Sequence, residues 1–299
     1  SYDIANKTES VSGSCSPKDF ETMMQLTYLT FTAPRRDDDA FASYKNRNKA
    51  ALKNQELNPN VAFSDSIQAG IYMKHPRIIR IKADMVDQMD YDKILSMYQD
   101  RFKDASDFTF IFVGNVDVEK MKPVIAEYLG ALPAVNRKET FKDNKIEMRQ
   151  GIYKNEFTKQ QETPKASVFA FYNGDCKYDL RNNLLLSMTS QILDLVYTEK
   201  VREDEGGTYG VYVGGTLQKY PKEKAILQII FDTAPEKKEK LMKIIFGEID
   251  NITKTGPSEA NLNKVKEYML KKHTEDLKEN SYWLGSIDEY LYTCLLYTS

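Results

Sequence analysis

Histidine is scarce in this chain: two among 299 residues, His75 and His273. Neither belongs to a His-x-x-Glu-His or His-Glu-x-x-His stretch, so no pair of imidazoles shares a helical face as a self-contained zinc site requires. His75 lies in the basic loop Lys74-His75-Pro76-Arg77 and His273 in the charged run Lys271-Lys272-His273, and both read as solvated side chains. The same scarcity removes the general base that a Ser or Cys nucleophile needs, and there is no Gly-x-Ser-x-Gly elbow. Gly214-Gly215 lacks the Lys-Ser/Thr that completes a phosphate loop. Cysteine is nearly as rare: Cys15, Cys176 and Cys294 are an odd count without a Cys-x-x-Cys pair, which excludes a disulfide framework and a thiolate metal centre. No apolar run is long enough to span a membrane, and no stretch reads as a signal peptide. No excess of one charge exists either, with 42 Lys+Arg against 44 Asp+Glu. Nothing global therefore points to nucleic acid or an acidic membrane. The basic residues at 74–82 have no interleaved aromatics for stacking on single strands.

Both ends read as artificial. Ser1-Tyr2-Asp3 lacks an initiator Met and reads as a cut end. Residues 294–299 read as the translation of a transposon adapter used in sequencing libraries, with the true frame ending near Thr293.

What is present suffices for two domains of ordinary size, at 41% hydrophobic residues. Residues 9–15 alternate weakly as a strand. Ser16-Pro17 predicts an N-cap, and Phe20, Met24, Thr27 and Phe31 share one helical face up to Pro34. Asp37, Asp38 and Asp39 suit the N-terminus of the next helix, whose inward face is read as Phe41, Tyr44, Ala51 and Leu52. Asn58-Pro59-Asn60 predicts a turn before a helix on Phe63, Ile67 and Ile71. Tyr91, Ile94, Leu95, Tyr98 and Phe102 form the clearest amphipathic helix of this half. Residues 107–115 predict a buried strand by their alternating aromatics. Asn115-Val116-Asp117 then caps a helix carrying Met121, Ile125, Tyr128 and Leu129, which Gly130 through Pro133 ends. Residues 134–150 are polar and Lys-rich, so a domain boundary is placed between 145 and 146.

The second half predicts strands at 151–157 and 166–173, then a long helix at 180–202 built on Leu185, Met188, Ile192 and Leu195. An alternating strand follows on Tyr209, Val211 and Val213, and a near-continuous apolar strand at 225–231. Asp232-Thr233 reads as the cap of a helix with Pro235 in its first turn and Leu241, Ile244, Ile245, Ile249 and Ile252 as its inner face. Gly256-Pro257-Ser258 breaks the chain and caps a last helix that reaches Asn280 and Trp283. Clustered strands with long helices argue for α+β layers.

One stretch joins a helix end to a strand start through a Gly pair: Arg202 through Tyr209. Guanidinium offers several donors in a rigid fork and phenol one more, so together they suit a peptide carbonyl or a developing oxyanion. Gly210, Gly214 and Gly215 would let a peptide backbone approach closely. The alternative is an Arg that offsets the helix dipole and a Tyr that fills a strand. Residue chemistry leaves both open.

Arg202-Glu203 followed by Gly206-Gly207-Thr208-Tyr209-Gly210-Val211 resembles the Arg…Tyr motif of the insulinase/pitrilysin family of zinc metallopeptidases, the inverzincins. Phe108 to Asn115 with Tyr128-Leu129-Gly130-Ala131-Leu132-Pro133 is similar to that family's domain ending. Phe231-Asp232-Thr233-Ala234-Pro235-Glu236 is similar to its strand-to-helix junction, and Asn280-Ser281-Tyr282-Trp283 to its Asn-x-x-Trp. The resemblance covers essentially residues 1–293. It implies an α+β fold of two tandem LuxS/MPP-like metallohydrolase domains, each a mostly antiparallel sheet covered by helices on one face. Residues 1–145 would be an inactive peptidase-like domain, third of four, and 146–293 the C-terminal one.

The resemblance further implies the C-terminal half of a zinc metalloendopeptidase that closes around peptides. Zn2+ and its inverted motif would belong to the N-terminal half, this half's main partner beside peptide substrates. This chain carries over no metal ligand, because Asp19 and Glu21 on the first helix do not reproduce the motif. Arg202 and Tyr209 match residue by residue. Their implied roles are substrate main-chain binding by both and stabilisation of the tetrahedral intermediate by Tyr209. The chain alone is expected to be inactive, and the bacterial periplasm or envelope is the implied compartment. A non-catalytic structural or chaperone-like relative is the alternative, and an upstream His-x-x-Glu-His would decide between them.

Overall fold

The computed structural model describes residues 2–5, 7–140, 142–203 and 208–294, without the side chains of Tyr2, Arg202, Glu203, Thr208 and Tyr209. In chain order the elements are β1 (Tyr2–Ile4), β2 (Glu9–Val11), α1 (Phe20–Thr32), α2 (Asp38–Glu56), α3 (Pro59–Tyr72), α4 (Tyr91–Phe102) and α5 (Val118–Tyr128). There follow β3 (Ala166–Asp175), α6 (Leu180–Tyr197) with a π-helical turn (Thr198–Glu203), β4 (Thr208–Gln218), β5 (Lys224–Thr233), α7 (Lys238–Thr255), α8 (Glu259–Asp276) and α9 (Asn280–Thr293). Mixed helices and small antiparallel sheets result, and no described helix is long and apolar enough to cross a membrane. The chain divides into two units: Ser1–Leu57 with Ile81–Lys142, and Asn58–Arg80 with Asp143–Ser299.

In the first unit, α1 buries Phe20, Met24 and Phe31 on the face expected from their spacing. Ser16 does not cap through a backbone N–H; its hydroxyl donates to Asp19, and a 3-10 turn precedes the helix. Asp37 does cap α2, accepting from the Ala40 N–H at 2.8 Å. None of the expected inward residues of α2 is fully buried, although Phe41 stacks on Tyr91. Phe31 and Phe102 meet edge to face at 5.3 Å, and Phe108 joins Phe31 at 4.9 Å. Such pairs add about 0.5–1.5 kcal/mol beyond area burial.

The strand expected at 107–115 is not one. Its even residues keep their alternation, with Phe108 and Phe110 on the Phe31–Phe102 cluster and Phe112 against Phe20. Among the described residues, however, no neighbouring strand completes a ladder, and β2 pairs with β1. The aromatics are partly buried against helices, which needs an extended chain but no sheet.

In the second unit the sheet order is β3-β5-β4, all antiparallel. The centre is β5, as its continuous apolar run predicts. Ile229 and Phe231 are buried with Leu193, Tyr197 and Val201 of the α6 region and Leu241 and Ile245 of α7. The α6 face agrees with expectation at Ile192, which is buried, and differs at Leu185 and Leu195. Leu185 is 49% exposed and Leu195 37%, while Ile192, Leu193 and Tyr197 face inward. The stretch at 151–157 is again no strand: Ile152 is 95% exposed. The chain there lies along α3 instead, with Arg149 N–H donating to the Ile71 carbonyl and Asn155 to Ser66. The expected last helix is two. It breaks after Asp276, where the Trp283 indole N–H donates to the Leu277 carbonyl at 2.9 Å and satisfies one orphaned helix end.

Candidate functional site at the β4 bulge

α6 is started by Asp179, which accepts from the Asn182 N–H at 2.8 Å. It runs over the helix-covered face of the sheet and loosens into the π-helical turn Thr198–Glu203. Arg202 lies in that turn and Tyr209 is the second residue of β4. The side chains of both, and residues 204–207 that join the elements, lie outside the described residues.

The backbone of β4 carries a further signal. Thr208 pairs with Thr233, whereas Val211 pairs with Phe231. Tyr209 and Gly210 therefore oppose the single residue Asp232, which makes a β-bulge. Bulges bend and twist a strand locally, and they gather beside functional sites, where they re-aim a side chain.

Among the described residues, nothing lies within 4 Å of where a Cβ on Gly210 would stand. Gly215 differs: a Cβ would lie 2.3 Å from Ser190 Oγ and 3.0 Å from Leu186 Cγ. Its smallness serves the seating of α6 on β4. At Gly214 the space is taken by the tip of Tyr212 and the amide of Gln228.

Asp232 was expected to cap a helix, but the following turn is N-capped by Ala234 and α7 starts at Lys238. The carboxylate looks across to β3 instead. Ser167, its register partner, donates through the hydroxyl to Oδ1, and Lys165 Nζ donates to Oδ2 at 2.9 Å. Burial pushes the Asp232 carboxyl up, but the Ser167 and Lys165 hydrogen bonds outweigh it and hold the group below the usual carboxylate range. It is thus anionic at neutral pH. The sequence hid this cluster because strand register, which sets Ser167 beside Asp232, is a non-local property.

The histidines stay apart from this end of the sheet. His75 Nδ1 accepts from the Arg77 N–H at 3.2 Å, and the His273 ring meets the Tyr282 ring at 5.8 Å. Among the described residues no three His, Cys, Asp or Glu side chains come together to hold a metal ion. The donor set of the described part does not fit a zinc centre.

Residues 88–269 match the family described as the Peptidase M16 inactive domain. The chain is 22% identical over 285 residues to a zinc protease PQQL-like protein of Arabidopsis thaliana, covering 90% of this chain and 30% of that one. Among solved structures, the periplasmic protease PqqL from Escherichia coli aligns with a TM-score of 0.78 at 21% identity, over 92% of this chain and 30% of its own. The first half of that same protease aligns separately, with a TM-score of 0.67 at 12% identity, over 95% of this chain and 62% of its own. The chain spans about a third of the length of the curated relatives it matches.

Proposed function

This chain belongs to the peptidase M16 family through its inactive domain, and on that footing we propose that it is the C-terminal, substrate-binding half of a zinc metalloendopeptidase that encloses and hydrolyses peptides. Residues 1–145 and 146–293 are read as two related peptidase-like domains, and the N-terminal half of the same protein as their partner. The separate likeness to the first half of the E. coli protease supports a fold used twice in such a chain. The periplasm is the proposed compartment, in line with that neighbour's description as periplasmic.

The observation that carries the reading is the Tyr209–Gly210 bulge, placed just after the helical turn that contains Arg202 and inside the family-matched span. Zinc would supply the activated water from the other half. This chain's residues do the remainder. The Arg202 fork holds a main-chain carbonyl of the peptide. The Tyr209 hydroxyl donates to the oxygen that gains negative charge in the tetrahedral intermediate, a contact of greater value there than in the ground state.

The test uses the full-length protein and the isolated chain. In the former, Tyr209→Phe is expected to lower kcat by about 10–100-fold, and Arg202→Ala to raise KM as well. Unchanged kinetics in both variants would return the pair to a structural role. In the isolated chain, metal analysis is expected to find no stoichiometric zinc and peptide assays no cleavage. One tight zinc per chain would overturn the division of labour.

A further inference from the structure

α6 and α8 pack side by side in the second unit, and a cleft of about 670 Å³ runs between them, a volume in the range of small-ligand sites. Helical spacing builds both walls. Ser187, Gln191 and Asp194 stand on one stripe of α6, and Lys264, Tyr268 and Lys272 recur every four residues along α8. The lining between them is apolar: Val265 is buried, and Met269 and Leu195 complete it. Leu195 is one of the two α6 leucines that the sheet side of the helix leaves out. The charges here do not all cancel in place. Lys272 pairs with Asp276 one turn on. Asp194 and Lys264, on opposite walls, make no hydrogen bond or ion pair among the described residues, with each other or with any third group. Asp194 is exposed as a residue, yet its carboxyl is partly desolvated, and this pushes it up. A cation set against the carboxylate would offset that cost.

The complement of one carboxylate and one ammonium across an apolar lining is a molecule with a cation at one end, an anion at the other and apolar groups between. A short peptide with free termini has that pattern. We propose that the cleft between α6 and α8 binds short apolar peptides by both ends, the amino terminus at Asp194 and the carboxylate at Lys264, with side chains against Leu195, Val265 and Met269. This binding needs neither Arg202 nor Tyr209. Its specificity is for free ends, because a blocked terminus would leave one of the two charged groups without its counter-charge.

The experiment is isothermal titration calorimetry of the 299-residue chain with dipeptides, tripeptides and tetrapeptides of alanine and leucine. At least one is expected to bind at a single site with Kd below about 1 mM. Acetylating its amino terminus and amidating its carboxylate should each weaken it about three- to tenfold. Asp194→Asn is expected to erase the penalty of acetylation and keep that of amidation, and Lys264→Met to do the reverse. Both residues are exposed, so neither change disturbs the core. Absence of binding would overturn the proposal, as would equal binding of free and blocked peptides. A penalty that persists unchanged in its matching variant would also overturn it, since that end of the peptide then lies elsewhere. Self-association in sedimentation equilibrium that Tyr268→Glu abolishes would give the cleft to a second copy of the chain instead.

Discussion

The Tyr197 hydroxyl donates to the Ile245 carbonyl at 2.9 Å and ties the end of α6 to α7 beneath the turn that carries Arg202. Both residues are essentially without solvent exposure. Burial foremost, with the nearby Tyr172 and Glu248, pushes the Tyr197 phenol well above its ordinary range, so it remains a neutral donor at any working pH. Tyr197→Phe is expected to cost about 1 kcal/mol, the usual net value of one internal hydrogen bond. Urea denaturation of the isolated chain checks this. A loss near 4 kcal/mol would show that Tyr197 does more than make this bond.

Helix starts and the central strand were legible because their signals are local. Asp117 and Ser258 accept from backbone N–H groups at the starts of α5 and α8, as their positions before apolar periods indicated. The central position of β5 followed from its near-continuous apolar run. The inward side of α6 was legible only at Ile192, since Leu185 and Leu195 keep helical spacing as well as Leu193 and Tyr197 do. A helix apolar on most sides does not say which side meets the sheet. Phe108 and Phe110 show the opposite failure: their alternation was real, but whether an extended segment finds a ladder partner depends on chain far away. For the candidate site, the helix-to-strand junction around Arg202 and Tyr209 could be read directly. The bulge and the meeting of Ser167 with Asp232 could not, because both are facts of register.

Gly215 and Gly210 are expected to respond in opposite ways to the same added methyl group. At Gly215 the new Cβ would collide with Ser190 Oγ and Leu186 Cγ of α6. Ser190 Oγ is itself held by the Leu186 carbonyl at 2.9 Å, so it yields only by breaking that bond. Gly215→Ala should therefore destabilise the chain by about 1–3 kcal/mol, the range for overpacking. Gly210→Ala meets nothing within 4 Å among the described residues and should stay within about 0.5 kcal/mol of the parent. Thermal melts of the two variants give the comparison. Equal midpoints would contradict the seating of α6 on β4 described above.

The last prediction concerns acid. Asp104 is fully buried in the first unit, where it accepts from the Ser106 hydroxyl at 2.6 Å and from the backbone N–H groups of Ser106, Val135 and Arg137 at 3.0, 2.9 and 2.6 Å. The Ser106 hydroxyl foremost, with the three backbone donors, outweighs burial and holds the carboxyl well below the usual carboxylate range. A carboxyl depressed by folding contributes stability that is fully present above its unfolded value of about 3.9 and is lost as pH falls towards the folded value. The parent chain should therefore lose stability steadily below about pH 4. Asp104→Asn keeps the shape but removes the charge, so its melting midpoint should be lower by about 5 °C or more at pH 7. As pH falls below about 4, the gap between variant and parent should narrow, because the parent carboxylate is then being protonated in the unfolded state. Melts of both proteins from pH 3 to 7 decide it: a gap that is constant with pH would mean that Asp104 acts through packing, not through its charge.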